Sequence, residues 1–358
     1  MFPHHSVRFV LLALAAFTVT AAAQPSENVI NKSSSFPTFH STVSEVRVTF
    51  FATNEDHRAL AALSPSDFAI VDNDRVVRNF RSFNHSNETS LDVVVLVDIS
   101  ESIAPRFRAT INDVLQLVAR EQSIPDDNLS ILSFGGSSEP APRENSSGMT
   151  STGVSSTGMM STRMTAQTSP ALRPAVLCSG GCRAADSTSR IQSAKSSGTT
   201  PLYDALIFGS DFLSHQHRAA ARSVLVLFSD GNDTISLHSS GDALRSALDA
   251  GAVIYSVDMG STPKQSSSHR LLESSGAAFL QQLAEQTGGR YFSPQVSQSD
   301  GAATVLNAVL EDLHASYVVT YELPTHQPGF HSLRLLPTHN LNLTFHNRTG
   351  YFYESSLR

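Results

Sequence analysis

The run Leu91–Ser102, with the sequence LDVVVLVDISES, constrains the fold of this chain more than any other segment. Its central residues, VVVLV, are all apolar and mostly β-branched, without the alternation of a half-exposed strand. A parallel strand that is buried on both faces has this pattern. The run ends at Asp98, and Ser100 and Ser102 follow at alternate positions. The segment therefore predicts a buried strand whose carboxyl end carries hard oxygen ligands, which suit Mg²⁺, Ca²⁺ or Mn²⁺.

Strand and helix patterns alternate from Leu91 to about residue 314, which indicates βαβ units. A second buried run, Ser223–Ser229, is followed directly by Asp230. We therefore expect an α/β domain over residues 91–314, built on a Rossmann-like, doubly wound and mostly parallel sheet. The other predicted strands are Asn128–Phe134, Ala252–Val257 and Arg290–Phe292. The predicted helices are Leu202–Leu213, Asp242–Ala250, Phe279–Gln286, Ala302–His314, and one capped by Ser102 that ends near Glu121.

Small β modules are expected on both flanks of this domain. Residues 43–90 contain short apolar runs around Asn73-Asp74, a pair that tolerates the left-handed backbone of a hairpin turn. Residues 315–358 return to alternating patterns such as SYVVTYEL and FHSLRLL. We interpret both segments as structural β elements beside the α/β domain.

A long insert interrupts the predicted sheet at residues 135–197. It is rich in Ser, Thr and Gly and holds four of the six methionines. The segment is too polar to bury a core and too long for an ordinary connection, so we expect a mobile, low-complexity insert. Its methionines could indicate copper binding or an adaptable contact surface, but compositional drift is the preferred interpretation.

The N-terminus has the organisation of a targeting segment. Residues 1–23 form the expected signal peptide, with an apolar core at Phe9–Val19 and a small-residue cleavage site at Ala21-Ala22-Ala23. The core is too short to span a bilayer, although an uncleaved anchor is the alternative. Residues 24–42 are interpreted as a linker. No later segment is apolar enough for a transmembrane helix, so we expect a periplasmic or secreted protein.

Two cysteines occur, Cys178 and Cys182, within CSGGC. In an oxidising compartment a disulfide is the expected state. The alternative is a zinc site, which would need two further ligands that the neighbouring sequence does not offer at a recognised spacing.

Composition and motifs also exclude some functions. The net charge of −7 and the lack of a basic cluster with interleaved aromatics argue against a nucleic-acid partner. The sequence contains no nucleophile elbow, HExxH motif or glycine-rich phosphate loop. We therefore do not expect an enzyme, although a metal-activated water remains a possible catalyst.

Three loops whose side chains carry oxygen atoms form the candidate functional site. They are the Asp98 loop DISES, the loop SGTTPL that contains Thr200, and the Asp230 loop SDGND. If the strands before Asp98 and Asp230 are neighbours, two carboxylates emerge side by side and repel each other unless a cation lies between them. Hydroxyl groups from Ser100, Ser102 and Thr200 would complete the oxygen shell. The alternative is that these residues are helix caps and turn residues.

DISES, GTTPLYDAL and LFSDGND, in this order and at these element ends, resemble the von Willebrand factor type A domain. The resemblance implies a Rossmann-like sheet and a metal-ion-dependent adhesion site. Thr199 stands where a second glycine is common, so Thr199 and Thr200 compete for the threonine role. The flanking β segments resemble exported bacterial proteins related to this family. The implied metal ligands are Asp98, Ser100, Ser102, Thr200 and Asp230.

These features together predict a non-catalytic, divalent-cation-dependent binding module of the cell envelope, acting in adhesion or as a scaffold. Mg²⁺ is the expected ion, with Mn²⁺ or Ca²⁺ as alternatives. The expected partner is a protein that presents an acidic residue to complete the metal shell. A metal-dependent hydrolase and a metal-stabilised structural protein are the alternative functions.

Overall fold

The computed structural model describes residues 45–56, 58–60, 62–85, 90–103, 129–135, 173–180, 182, 189–190, 192–193, 198–216, 221–260, 269–293 and 301–354. These residues all belong to one compact unit, Val43–Arg358. The predicted signal peptide, the linker, most of the helix after Ser102 and most of the insert lie outside the described residues. Within the described part, no helix has the length and apolarity needed to cross a membrane.

The described elements are strands and helices in the following order. The strands are β1 (Glu45–Thr53), β2 (Phe68–Asp72), β3 (Arg75–Val77), β4 (Ser82–His85), β5 (Leu91–Asp98), β6 (Leu129–Phe134), β7 (Ala175–Ser179), β8 (Arg222–Ser229), β9 (Val253–Asp258), β10 (Tyr291–Phe292), β11 (Tyr317–Glu322), β12 (Gly329–Pro337), β13 (Thr344–Asn347) and β14 (Gly350–Tyr353). The helices are α1 (Leu202–Gln216), α2 (Ser240–Asp249), α3 (His269–Thr287) and α4 (Gly301–His314), and Glu101–Ile103 forms a 3₁₀ turn.

A six-stranded sheet in the order β10-β9-β8-β5-β6-β7 forms the centre of the α/β domain. Strand β5 pairs in parallel with both β6 and β8, and β9 and β10 continue the parallel arrangement. Only β7, at one edge, is antiparallel among the described strands of this sheet. The strand order reverses at β5. Strands β6 and β7 follow on one side of β5, and strands β8, β9 and β10 follow on the other side. The predicted doubly wound, mostly parallel sheet is therefore confirmed.

Both faces of β5 are covered by apolar side chains, which explains its uninterrupted apolar run. Val93, Val95 and Val97 point into a core shared with α4. Val94 and Leu96 point into a second core shared with α1, α2 and α3. Because neither face meets water, alternation with polar residues would bury unpaired polar groups and is not observed.

The β segments predicted on the two flanks combine into one β module. Strand β1 pairs with β11 and β13, and β2 pairs with β12, so N-terminal and C-terminal segments alternate. The result is two four-stranded sheets, β13-β1-β11-β4 and β14-β12-β2-β3. One apolar core, which includes Phe50, Ile70, Val319 and Leu335, takes residues from both sheets. The structure thus adds that the α/β domain is inserted between two halves of a single module.

The predicted hairpin turn at Asn73-Asp74 connects β2 and β3. Asn73 has φ = 47° and Asp74 has φ = 63°, which are left-handed values. Two positive φ angles in a two-residue loop suit the right-handed twist of a hairpin, and Asn and Asp tolerate them. The antiparallel pairing of β2 and β3 confirms this prediction.

The structure corrects the interpretation of residues 135–197 as a wholly mobile insert. Residues Ala175–Ser179 form β7, which extends the sheet beside β6. Leu177 is buried here, and so are Cys178 and Cys182. The two cysteines form a disulfide, as predicted, so neither sulfur is a free thiolate ligand for zinc. A short apolar stretch therefore forms the edge of the sheet within a segment whose overall composition is polar.

Candidate metal centre at the carboxyl edge of the sheet

The strands that precede Asp98 and Asp230 are neighbours. In the parallel pairing of β5 and β8, Val97 lies opposite Phe228, so Asp98 ends one strand where Ser229 and Asp230 end the other. The strand order reverses between these two strands, which is the position where ligands bind in open α/β sheets. The structure therefore places both predicted carboxylates at the switch point of the sheet.

Asp98 is fully buried and held by two hydrogen bonds. Its Oδ1 accepts a hydrogen bond of 2.8 Å from the backbone N–H of Ser100, and its Oδ2 accepts one of 2.8 Å from the Ser229 hydroxyl. Burial raises the pKa of Asp98 to about 6; hydrogen bonds from Ser100 and Ser229 oppose this rise, and the charge of Asp230 adds to it. The effect of Asp230 reflects the proximity of two like charges, which a cation between them would neutralise.

The Asp98 loop brings two hydroxyl groups together. The Oγ atoms of Ser100 and Ser102 are 3.0 Å apart, one buried and the other on an exposed residue. Gly135, with φ = 98°, follows β6 and passes so close that an added Cβ would lie 2.9 Å from the Ser100 nitrogen. The absence of a side chain at this glycine lets the loop keep its turn.

The loop that contains Thr200 is hydrogen-bonded to both neighbouring loops. The N–H of Thr200 donates to the Thr234 hydroxyl at 2.8 Å, and its carbonyl accepts from the Thr234 N–H at 2.9 Å. Two residues earlier, the carbonyl of Gly198 accepts from the Glu101 N–H at 3.4 Å. These contacts hold the threonine loop between the Asp98 loop and the Asp230 loop. Thr200 is only 4% exposed, whereas Thr199 is exposed, which favours Thr200 for the threonine role.

The start of α1 is capped by residues other than Thr200. The N–H groups of Tyr203 and Asp204 donate to the Ser236 hydroxyl at 3.0 and 3.1 Å. Asp233 accepts from the N–H of Tyr203 at 3.3 Å and also contacts Ser236. The interpretation of Thr200 as a helix cap is therefore not supported. Asp233 positions the loop after Asp230 against this helix.

The turn after Asp230 depends on close packing of two glycines. Gly231 has φ = 77°, and a Cβ placed there would collide with the backbone of Gly276 in α3. A side chain at Gly276 would in turn meet the Asp230 carbonyl at 2.5 Å. Left-handed backbone and this close approach both require glycine at 231, so the turn is rigidly placed against α3.

The sequence analysis missed three residues at this edge. Ser229 binds Asp98 and also accepts from the Gly231 N–H at 3.1 Å. Thr234 pairs with Thr200. Asp258 ends β9 beside Asp230 and is buried; it accepts from the Gly260 N–H and from the Tyr291 hydroxyl, both at 2.7 Å. Asp258 follows an apolar run, VIYSV, just as Asp98 follows its own, and this signal could have identified it.

The donor set suits a hard divalent cation. Two carboxylates and three hydroxyls are oxygen ligands of the type that Mg²⁺, Mn²⁺ and Ca²⁺ prefer. Among the described residues, no group of three or more His, Cys, Asp or Glu side chains could hold a metal ion by itself. A cation at this edge would therefore depend on serine and threonine hydroxyls and on water, with few negative charges to neutralise it.

The strand order, the covered faces of the sheet and the three loops at its carboxyl edge give this domain the doubly wound α/β fold that its resemblance to the von Willebrand factor type A domain implies. No protein-family model matches the chain, and no curated protein sequence gives a significant match. Solved structures match this chain at low identity, and three of them are described here.

The VWA domain of SpRpn10 has 12% identity and a TM-score of 0.37, covering 63% of this chain and 97% of its own. Manganese-loaded TRAP protein of Plasmodium vivax has 15% identity and a TM-score of 0.34, covering 80% and 99%. Proximal thread matrix protein 1 from the mussel byssus, with a zinc-occupied MIDAS motif, has 13% identity and a TM-score of 0.38, covering 63% and 48%. This chain thus spans about half of the mussel protein. The metals named here belong to those proteins.

Proposed function

We propose that this chain is an exported, divalent-cation-dependent protein-binding module that acts in adhesion or as a scaffold without catalysis. The observation that carries the proposal is the placement of Asp98 and Asp230 on adjacent parallel strands at the switch point of the sheet. Hydroxyl groups from the Asp98 loop and from the threonine loop lie at the same edge.

Each candidate ligand has a distinct role in this proposal. Asp98, whose two oxygens already accept hydrogen bonds, would bind the cation directly or through water. Ser100, Ser102 and Thr200 would supply neutral hydroxyl ligands, and Asp230 would bind from the neighbouring strand. Mg²⁺ prefers six oxygen ligands and retains waters, so positions remain for an incoming group.

A partner with an acidic side chain fits this centre best. Two protein carboxylates at most balance the charge of one divalent cation, and neutral hydroxyls leave the ion electrophilic. A Glu or Asp from the partner would replace a bound water and form a charge-assisted contact. The native ion is proposed to be Mg²⁺, with Mn²⁺ or Ca²⁺ as substitutes.

Export is supported by the disulfide between Cys178 and Cys182. Disulfides persist in oxidising compartments such as the periplasm and the extracellular space. Together with the predicted signal peptide, this pairing favours a periplasmic or secreted location.

The test is capture of a partner from envelope extract by the full chain, in Mg²⁺ and in a chelator. The wild type is expected to retain a protein only with Mg²⁺, and Asp98→Ala is expected to lose it. Asp74→Asn, which removes an exposed charge from the β2–β3 turn but keeps a residue that tolerates its left-handed backbone, is the control and should behave as wild type. Mg²⁺-dependent capture that survives in Asp98→Ala would overturn the proposal. Mg²⁺-dependent turnover in a hydrolase screen, lost in Asp98→Ala, would replace it with the hydrolase alternative.

A further inference from the structure

A cleft lies at the end of the α/β sheet opposite the candidate metal centre. It has a volume of about 630 Å³, within the usual range of small-molecule sites. Arg222 and Val253, which begin β8 and β9, line it from the α/β domain. Residues of β1 and β14 line it from the β module. Because β8 and β9 are parallel, the cleft and the metal loops lie at opposite ends of the same strands.

Three arginines converge on this cleft: Arg47, Arg222 and Arg348. The Nη2 group of Arg348 donates to the Arg47 carbonyl at 2.9 Å. Burial, with a smaller contribution from the nearby charge of Arg47, lowers the pKa of Arg222 to about 10. Nη1 of Arg222 is fixed by the Leu313 carbonyl at 2.9 Å. Like charges held together in this way favour an anion between them.

Arg348 lines the cleft, where burial lowers its pKa and the nearby carboxylate of Asp72 opposes this effect. Its Nε atom is buried and has no hydrogen-bond partner among the described residues. Its guanidinium lies 5.1 Å from the centre of the Tyr351 ring, which fixes the orientation of the planar group. A guanidinium fork held in this way matches the two oxygens of a carboxylate.

The acidic residues at the rim are directed toward other arginines. Glu45 pairs with Arg81 at 2.6 Å. Asp249 and Glu354 both pair with Arg245, at 3.6 and 3.5 Å. These pairs direct the rim carboxylates away from the cleft arginines, but they place negative charge at its mouth, and Asp72 also offsets part of the charge of Arg348. A singly charged anion is therefore favoured over a doubly charged phosphate.

We propose that this cleft binds a small organic carboxylate with an apolar body, oriented by Arg348 and Arg47. The apolar body would contact the aliphatic and aromatic part of the wall, formed by Val46, Leu248, Leu323 and Phe352. This site is separate from the metal centre and its ligand does not require a cation.

The experiment measures binding of benzoate to the full chain by calorimetry, in the presence of a chelator. Benzamide, which lacks the charge, acetate, which lacks the apolar body, and inorganic phosphate are the comparison ligands. Benzoate is expected to bind more tightly than all three. Arg348→Lys keeps the charge but removes the fork, and should weaken benzoate binding by about tenfold or more.

Three further variants keep the test decisive if Arg348→Lys folds poorly. Arg47→Gln should weaken benzoate binding severalfold, whereas Arg334→Gln, an exposed arginine that pairs with Asp74, should leave it unchanged. Asp98→Ala should also bind benzoate as the wild type does, which separates this site from the metal centre. Equal binding of benzoate and benzamide, tighter binding of phosphate, no binding at all, or wild-type affinity in both cleft variants would overturn the proposal.

Discussion

The α/β domain and the β module each bury an aspartate completely, and the two differ in what surrounds them. Asp72 in the module accepts hydrogen bonds of 2.7 Å from the hydroxyls of Tyr321 and Tyr351, with His331 at 3.5 Å. Asp98 lies at the carboxyl edge of a sheet, with a second carboxylate, that of Asp230, on the next strand. The first accepts from tyrosine hydroxyls within an apolar core and has the cation of Arg348 nearby, and the second faces a like charge where ligands bind.

This difference shows how a buried carboxylate can be assigned a role. A carboxylate enclosed by hydroxyl donors fixes the packing of its neighbours, because losing it leaves their hydroxyls unpaired. A carboxylate beside another carboxylate at a switch point lacks local charge compensation, and a bound cation can provide it. Burial alone does not separate the two cases, whereas the charge and position of the neighbours do.

The largest expected effect comes from matched substitutions of these two aspartates by asparagine. Asp98→Asn should weaken Mg²⁺ or Mn²⁺ binding by about 100-fold or more, because it removes one of two charged ligands. Asp72→Asn should leave metal affinity unchanged and lower the free energy of unfolding by about 2 kcal/mol, since it weakens hydrogen bonds to a charged acceptor. Calorimetry with each metal and urea unfolding in a chelator measure both effects. Equal loss of metal binding in the two variants would remove the distinction between them.

An intermediate effect is expected at the threonine loop. Thr200→Val should weaken Mg²⁺ binding by about tenfold, because one neutral oxygen ligand is lost while the side-chain shape is kept. Thr199→Val is the matched control on an exposed neighbour and should change the affinity by less than about twofold. Metal titration of both variants decides between the two threonines. A larger effect at Thr199 would transfer the role to that residue.

The last prediction concerns the pH dependence of stability and another buried aspartate, Asp312 in α4, which pairs with Arg290 at 2.7 Å. Burial raises the pKa of Asp312 to about 7; Arg290 opposes this rise and Glu311 adds to it. An aspartate with a raised folded-state pKa contributes stability that is complete below about pH 4 and is lost as the pH rises through 7.

The free energy of unfolding of the wild type relative to Asp312→Asn should therefore fall between pH 4 and pH 8. Urea unfolding at several pH values, in a chelator, measures this difference. The change should be the same in Asp98→Asn, because Asp312 lies away from the metal edge on the face of the sheet covered by α4. A difference that is constant across this pH range would contradict the assignment.

The sequence predicts the central sheet well because burial on two faces leaves an unmistakable pattern. The apolar runs of β5 and β8 identify the strands, and the polar residues after them identify the edge of the sheet. The prediction that Asp98 and Asp230 emerge side by side depends on β5 and β8 being neighbours, and the structure supplies this pairing.

Other features depend on contacts that no local pattern records. Strand β7 is short and lies in a polar segment, so its burial against β6 has no signal in composition. The sequence pattern does not predict the first turns of α3, which begins at His269 rather than Phe279, because these turns contain Ser and Gly, which are weak helix formers. The pairing of β1 with β11 joins residues about 270 positions apart, and alternation alone cannot select an antiparallel partner.

The interleaving of β1 to β4 with β11 to β14 affects how the chain acquires its structure during synthesis. Strand β1 emerges early but has its neighbours only after β11 and β13 have been made. The α/β domain between them is complete before that point, and domains tend to fold as units in order of synthesis. The β module therefore closes last, and a chain that stops before β11 leaves β1 with an unpaired edge exposed to aggregation.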